Sequence, residues 1–415
     1  MHPLQITLVV LLGLISTTSA RFAKFPTFPE QYPQTTPVDS MVLQEEEQMA
    51  ILAPQAFPVV PPTDSVLEEL VLTISSGWCG TTSDYCSATS GCQSAFGICN
   101  NATNTTTPGS KAGTSTDNRC GPGVGTCASD ECCSLAGYCG TTEEYCTAPD
   151  CQFNYGPACD ANAIPTGANT STIARPAVGS VLYGSDGIYD CATPGDMALT
   201  FDDGPYIYTS HILDLLAQYN ASATFFITGN NNGKGHIDNT SLEWPALIKR
   251  MYDNGHQVAS HTWSHPDLCN ITSAQRKNEM WKNEMALRNV IGVIPTYMRP
   301  PYSSCTAECG CEADMQELGY HVTYFSLDTQ DYLNDSPTLI HNAQTIFSNT
   351  LNASNPRTDH PLVISHDIHN QTSQVLVEYM LKTAVAKGYR PVTVGTCLGD
   401  EKANWYRTDT ATTLG

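Results

Sequence analysis

Met197-Ala198-Leu199-Thr200-Phe201-Asp202-Asp203-Gly204-Pro205 sets a short apolar strand directly against two adjacent carboxylates and a Gly-Pro turn. The same arrangement recurs downstream: apolar runs at 257–260, 296–298, 322–327 and 362–365 lead into His261, Arg299, Asp328 and His366 respectively. Two further candidate strands lie at 223–228 and 391–394, and helical patterns fill the intervals at 209–219, 244–254, 273–291, 313–318, 338–349 and 374–387. Gly255, Gly292, Gly319 and Gly388 follow four of those helices as C-caps, and Thr272 with Gln275 supplies a capping box for the longest. Strand alternating with helix this many times predicts an α/β domain on a mostly parallel sheet, closed or open. In a barrel of parallel strands the C-terminal strand ends share one rim, where such folds carry their chemistry. The polar clusters should therefore converge.

Each cluster alone has a plain alternative. Asp202 to Pro205 could be an ordinary turn, Arg299 a surface arginine, Asp328 and Asp331 loop solvation, and His366 a hydrogen-bonded core histidine. His261 and His265, four apart, say more. Both can face one metal ion, and a carboxylate from another strand would complete a three-ligand site with an open position. Arg299-Pro300-Pro301-Tyr302 is stiff backbone that can hold the Tyr302 N–H toward a developing oxyanion while Arg299 braces a carboxylate.

Together these motifs resemble the NodB-type polysaccharide deacetylases, carbohydrate esterase family four. The likeness covers about residues 196–396 and runs through Thr200 to Pro205, His261 to His265, Arg299 to Tyr302, Asp328 to Tyr332 and Leu362 to Asp367. It implies an irregular, incomplete (β/α) barrel. It also implies that Asp203, His261 and His265 hold a divalent metal, zinc as the usual ion with cobalt as the alternative. Asp202 would be the general base, kept in place by Arg299. The Tyr302 N–H would stabilise the oxyanion, and His366, steered by Asp331, would protonate the departing amine. Tyr332, where the family more often has Trp, and Ile364 would line the pocket for the acetyl methyl group.

A cysteine-rich stretch precedes this domain. Residues 119–160 carry Cys120, Cys127, Cys132, Cys133, Cys139, Cys146, Cys151 and Cys159 at spacings that resemble hevein-type chitin-binding modules. The resemblance implies the pairs Cys120–Cys133, Cys127–Cys139, Cys132–Cys146 and Cys151–Cys159, with Ser134, Tyr138 and Tyr145 facing sugar; Ala136 stands where the plant lectin has an aromatic. Residues 77–99 repeat only the second half of that pattern, with Cys92–Cys99 as the pair that can close. This partial module is degenerate, or a mispredicted exon at its upstream side replaces the missing half. In the main domain Cys191–Cys397 would tie the ends together, and Cys305–Cys309 is the first expectation for the remaining cysteines, since pairings do not follow from sequence.

The remaining divisions are a signal peptide at 1–20, a linker, disordered or mispredicted segment at 21–76, spacers at 100–118 and 161–178, and the deacetylase-like domain at 179–409. The 18 cysteines and the nine Asn-x-Ser/Thr sequons fit an oxidising, secreted or cell-wall setting. A net charge of -22 offers no basic stripe for nucleic acid, and no segment after the leader is long and apolar enough to span a membrane. The expected protein is a monomer acting on chitin or its oligomers. Peptidoglycan or acetylated xylan as substrate, and a catalytically dead lectin-like wall protein, are the competing readings.

Overall fold

The computed structural model describes residues 118–408. The signal peptide, the 21–76 segment, the partial module with Cys92–Cys99, all but the last residue of the 100–118 spacer, and Asp409 lie outside the described residues.

The main domain is built on nine strands among the described residues: β1 Gly184–Ile188, β2 Asp196–Asp202, β3 Thr224–Ile227, β4 Gln257–Ser260, β5 Tyr297–Met298, β6 His321–Thr323, β7 Leu327–Asp328, β8 Leu362–His366 and β9 Arg390–Val392. They hydrogen-bond in the order β7-β8-β2-β3-β4-β5-β6-β1, every pair parallel, with β9 added beside the start of β2. The end strands β7 and β1 do not meet, so the sheet is curled but open, an incomplete barrel as expected. β2, β3 and β4 are buried at every position, the mark of parallel strands covered on both faces.

The covering helices are α1 Thr209–Gln218, α2 Trp244–Asp253, α3 Ser273–Ile291, α4 Cys311–Glu317, α5 Ile340–Ala353 and α6 Val377–Lys387. α3 starts at the Thr272–Gln275 capping box and stops at Gly292, whose φ of 75° only glycine adopts freely. Two differences from the expected elements have local causes. The single run at 322–327 breaks into β6 and β7, because Tyr324 and Ser326 turn their amides to Ile188 and Leu362 on different neighbours. The last helical stretch begins with a π-helical turn, Thr372–Leu376, before α6.

Residues 118–160 form the cysteine module: a two-stranded ladder of Cys132–Cys133 with Cys139–Gly140 and one helical turn, Glu143–Cys146. Its interior is largely cystine, with all four expected pairs formed. Cys191–Cys397 is formed as well. Cys305–Cys309 is not. Cys305 pairs with Cys311 and Cys309 with Cys269, because Cys311 opens α4 and is buried beside Cys305 under Met298 and Tyr324, while half-buried Cys309 faces Cys269.

The 161–178 spacer contains a short 3-10 turn, Asp160–Asn162, and no other helix or strand, yet it is pinned along α3. Asn289 donates to Thr166 O at 3.0 Å, Arg288 to Ala168 O, and the Thr170 hydroxyl to Trp281 O at 3.3 Å. Arg175 makes two 2.7 Å bonds to buried Glu284.

The Cys191–Cys397 bond closes a loop of 206 residues. Replacing both by Ser should cost about 2–5 kcal/mol, read as a lower guanidinium midpoint. An unchanged midpoint would mean that the sheet alone holds the two ends.

Candidate active site

Strand register brings the polar clusters together. His366 at the end of β8 lies opposite Asp202 at the end of β2, and Ser260, before His261, lies opposite Met298, before Arg299. The segments leaving this rim are held in unusual backbone. Asp203, Thr262, His265, Tyr302, Ser303 and Gln330 have φ between 53° and 74°, a region that non-glycine residues seldom occupy and that surrounding structure must impose.

Asp203 Oδ1 faces the two histidines, 3.6 Å from His261 Nε2 and 3.2 Å from His265 Nε2. This oxygen is buried without a hydrogen bond. His261 Nδ1 sits 2.7 Å from Arg299 O, which can only accept, so Nδ1 carries the proton and the Nε2 lone pair is free. Burial lowers the His261 imidazole to about 4; burial would raise the Asp203 carboxyl, but the surrounding His265, His261, His366 and Lys234 side chains hold it at about 2. One carboxylate oxygen and two imidazole nitrogens lying within 4.8 Å of one another are a donor set suited to zinc or a similar divalent ion. Cys120, Cys127 and Cys139 also lie close together, but all are in disulfides.

Asp202 stands beside this trio. Its Oδ1 accepts a 2.7 Å bond from Arg299 Nη1, and its Oδ2 is 3.8 Å from His261 Nε2. Arg299 is 1% exposed and fully engaged: Nη1 also reaches Thr200 Oγ1, Nη2 Tyr324 O and Nε Thr323 O, with the Phe226 ring 4.2 Å away.

Across the rim, His366 Nδ1 is 2.8 Å from Asp331 Oδ1, while its backbone N–H donates to Asp331 Oδ2 at 2.7 Å. Burial would lower the His366 imidazole, but Asp331, then Asp203 and Asp202, outweigh it and push it up to about 10. His366 is thus a cation with its proton on Nε2 available at neutral pH. Tyr332 stacks edgewise on His366 and donates its hydroxyl to Asp328 Oδ2 at 3.1 Å; Ile364, nearly buried, precedes His366 on β8. Tyr302 lies against the His265 ring with 40% of its surface exposed.

Three supports were not anticipated. Lys234 Nζ, buried, donates to Asp203 O at 2.6 Å, Gly204 O at 2.9 Å and Thr228 Oγ1 at 2.7 Å. Glu279 of α3 accepts from Ser264 N and Oγ, between the two histidines, at 2.7 and 2.9 Å. Asp367 fills the space over Gly204, where a Cβ would meet its carboxylate at 2.0 Å, and accepts from Thr209 Oγ1 at 2.6 Å. Lys234 sits in an Asn-Gly-rich loop and Glu279 in a polar helix stretch; neither context marks them in the sequence. Asp367 could have been suspected from its place beside His366.

In the cysteine module, Ser134 Oγ and the Tyr138 backbone bond mutually at 3.2 Å, and the Tyr138 ring is 45% exposed with the Arg119 guanidinium 4.5 Å from its centre. Tyr145 is half-buried against Gly140.

Residues 190–323 match the family model for polysaccharide deacetylase. The chain is 43% identical over 253 residues to a chitin deacetylase of Colletotrichum lindemuthianum, covering 61% of this chain and 97% of that one. It is 42% identical over 245 residues to a chitin deacetylase of Pestalotiopsis sp, covering 59% and 77%. The solved structure of the Colletotrichum lindemuthianum enzyme is similar at a TM-score of 0.52 and 42% identity, over 57% of this chain and all of that one. The chain therefore belongs to the polysaccharide deacetylase family, as its five motifs led us to expect.

Lys234→Met would leave Gly204 O without its donor and Asp203 O with the Thr228 hydroxyl alone. The expected loss is about 1–3 kcal/mol in chemical denaturation; full stability would mean that these carbonyls find other partners.

Proposed function

We propose that this protein hydrolyses the N-acetyl groups of N-acetylglucosamine units in chitin, yielding chitosan and acetate. The observation that carries the chemistry is the adjacency, on one rim, of an Asp-His-His donor set, an arginine-held carboxylate and a carboxylate-held histidine cation. The choice of chitin is supported by the relatives and by the hevein-like spacing of the cysteine module.

Asp203, His261 and His265 would hold a divalent metal, zinc or alternatively cobalt. When bound there, such an ion polarises the acetamide carbonyl and acidifies water. Asp202, positioned by Arg299, takes the proton from the water that attacks the carbonyl carbon. The Tyr302 N–H donates to the oxygen that gains charge as the tetrahedral centre forms. His366 then gives its Nε2 proton to the sugar nitrogen, the C–N bond breaks, and acetate and a free amine leave. Asp331 keeps His366 charged until that transfer and holds its ring correctly turned. Tyr332 and Ile364 bound the pocket for the acetyl methyl, which limits the acyl group to a small one.

Ser134, Tyr138 and Tyr145 would hold the module on the polymer, aromatic rings against sugar faces, and so raise the local concentration of substrate. Seven disulfides among the described residues suit an extracellular or cell-wall setting. The protein would act as a monomer, and no helix among the described residues is long and apolar enough to cross a membrane.

Acetate release from chitin oligomers tests the reading. Chelation and Asp203→Ala should each reduce it by at least about a hundredfold; no release from oligomers under any added metal would overturn the chitin assignment. Asp331→Asn probes the acid. Because Asp331 raises His366, its loss should bring the alkaline limb of the rate profile to lower pH, on the order of one to three units. An unmoved limb would remove His366 from the acid role.

A further inference from the structure

The cysteine module meets the main domain at the segments that carry the catalytic rim. In the loop 229–237 after β3, Asn232 N donates to Ala148 O of the module at 2.9 Å, and Asn230 Nδ2 to Asp160 O at 3.2 Å. On α3, Lys282 Nζ donates to Ala161 O at 2.6 Å and Gln275 Nε2 to Asn154 Oδ1 at 2.7 Å. Ala161 is 4% exposed and Lys282 5%, so this is a packed contact around a small polar crevice. The pinned spacer leaves little slack to open it.

Both contact segments hold the metal-ligand loops from behind. Gly229 N and Asn230 N donate to Thr262 O and Trp263 O, between His261 and His265, at 3.2 and 2.7 Å. Four residues on, Lys234 holds the carbonyls of Asp203 and Gly204. One helical turn before Lys282, Glu279 holds Ser264. The contacts use Ala148, Asn154 and Asp160 of the module and Ala161 where the spacer begins, and leave Tyr138 exposed.

We propose that the cysteine module is a fixed part of the catalytic body, and that its docking positions the 229–237 loop and through it the Asp203 and His261–His265 segments. A module that only tethers the enzyme to polymer has no effect on small soluble substrates. A docked brace does. Asn230 and Asn232 are then positioning residues, acting through backbone that carries the ligands. The turnover arm of the test rests on the function proposed above; the exchange arm does not.

The test uses the full chain with two wedges placed in the crevice from opposite sides, outside the loop: Ala161→Arg at the junction of module and spacer and Asn278→Trp on α3. Hydrogen–deuterium exchange is read over 229–237, alongside turnover of soluble chitin oligomers and pelleting with insoluble chitin. Both variants should exchange faster in the loop and turn over oligomers about tenfold more slowly, while still pelleting with chitin. Unchanged exchange and turnover in the Asn278→Trp protein overturns the proposal, as does an effect confined to Ala161→Arg, which module misfolding would explain. If the native protein releases no acetate from oligomers, the substrate reading fails, and loop exchange still decides the brace.

Discussion

A guanidinium removed from water must be paired and fully hydrogen-bonded, or the fold loses several kcal/mol. Arg299 meets that requirement by gathering Thr200 and Asp202 of β2, the Thr323 carbonyl of β6 and the Tyr324 carbonyl beyond it around the end of β5. Three strand ends are thereby fixed against one another. The Arg299 carbonyl meanwhile sets the tautomer of His261. A single residue thus aims the carboxylate that would accept a proton and one of the nitrogens that would hold a metal, which couples the two halves of the site rigidly.

Asp202, Asp203 and Asp331 are buried on this rim, and like charges so close disfavour one another. Separate partners avoid that. Asp202 is matched by Arg299, Asp203 by the two histidines it faces, and Asp331 by His366. Different partners also give the groups different tasks. Asp202 keeps one carboxylate oxygen on Arg299 and turns the other toward His261 Nε2, 3.8 Å away, whereas His366, pushed up to about 10, is suited to give a proton.

The polar rim was legible in the sequence because parallel strands end in it. Each apolar run points to the next polar residue, and Asp202, His261, Arg299 and His366 lie where that rule puts them. Module pairing was legible only through the resemblance to hevein-type modules, whose implied pairs are the ones formed. Cys305 and Cys309 were misjudged because short spacing says nothing about direction: the turn before α4 sends Cys309 outward and Cys311 inward. Lys234 was invisible for a related reason. Its role depends on a loop returning beneath the Asp203 turn, a tertiary event that no local pattern encodes.

α3 has little amphipathic periodicity, and a helix without an apolar stripe usually argues for exposure. Here nine of its positions are buried, five of them polar or charged. The structure resolves the conflict through partners: Asn283 donates to Ile227 O and Ser260 Oγ in the sheet, Glu279 holds Ser264, Lys282 reaches the module, Glu284 binds Arg175 of the spacer and the Tyr320 hydroxyl, and Arg276 binds Asp314 on α4. Each polar residue is inside because another segment needs it there. A helix wrapped on several sides by its own chain cannot afford a purely apolar face, since directional bonds are what fix the register of the segments laid over it. The missing stripe in this sequence is therefore the trace of a helix that joins the sheet, the His261–His265 loop, the spacer and the cysteine module.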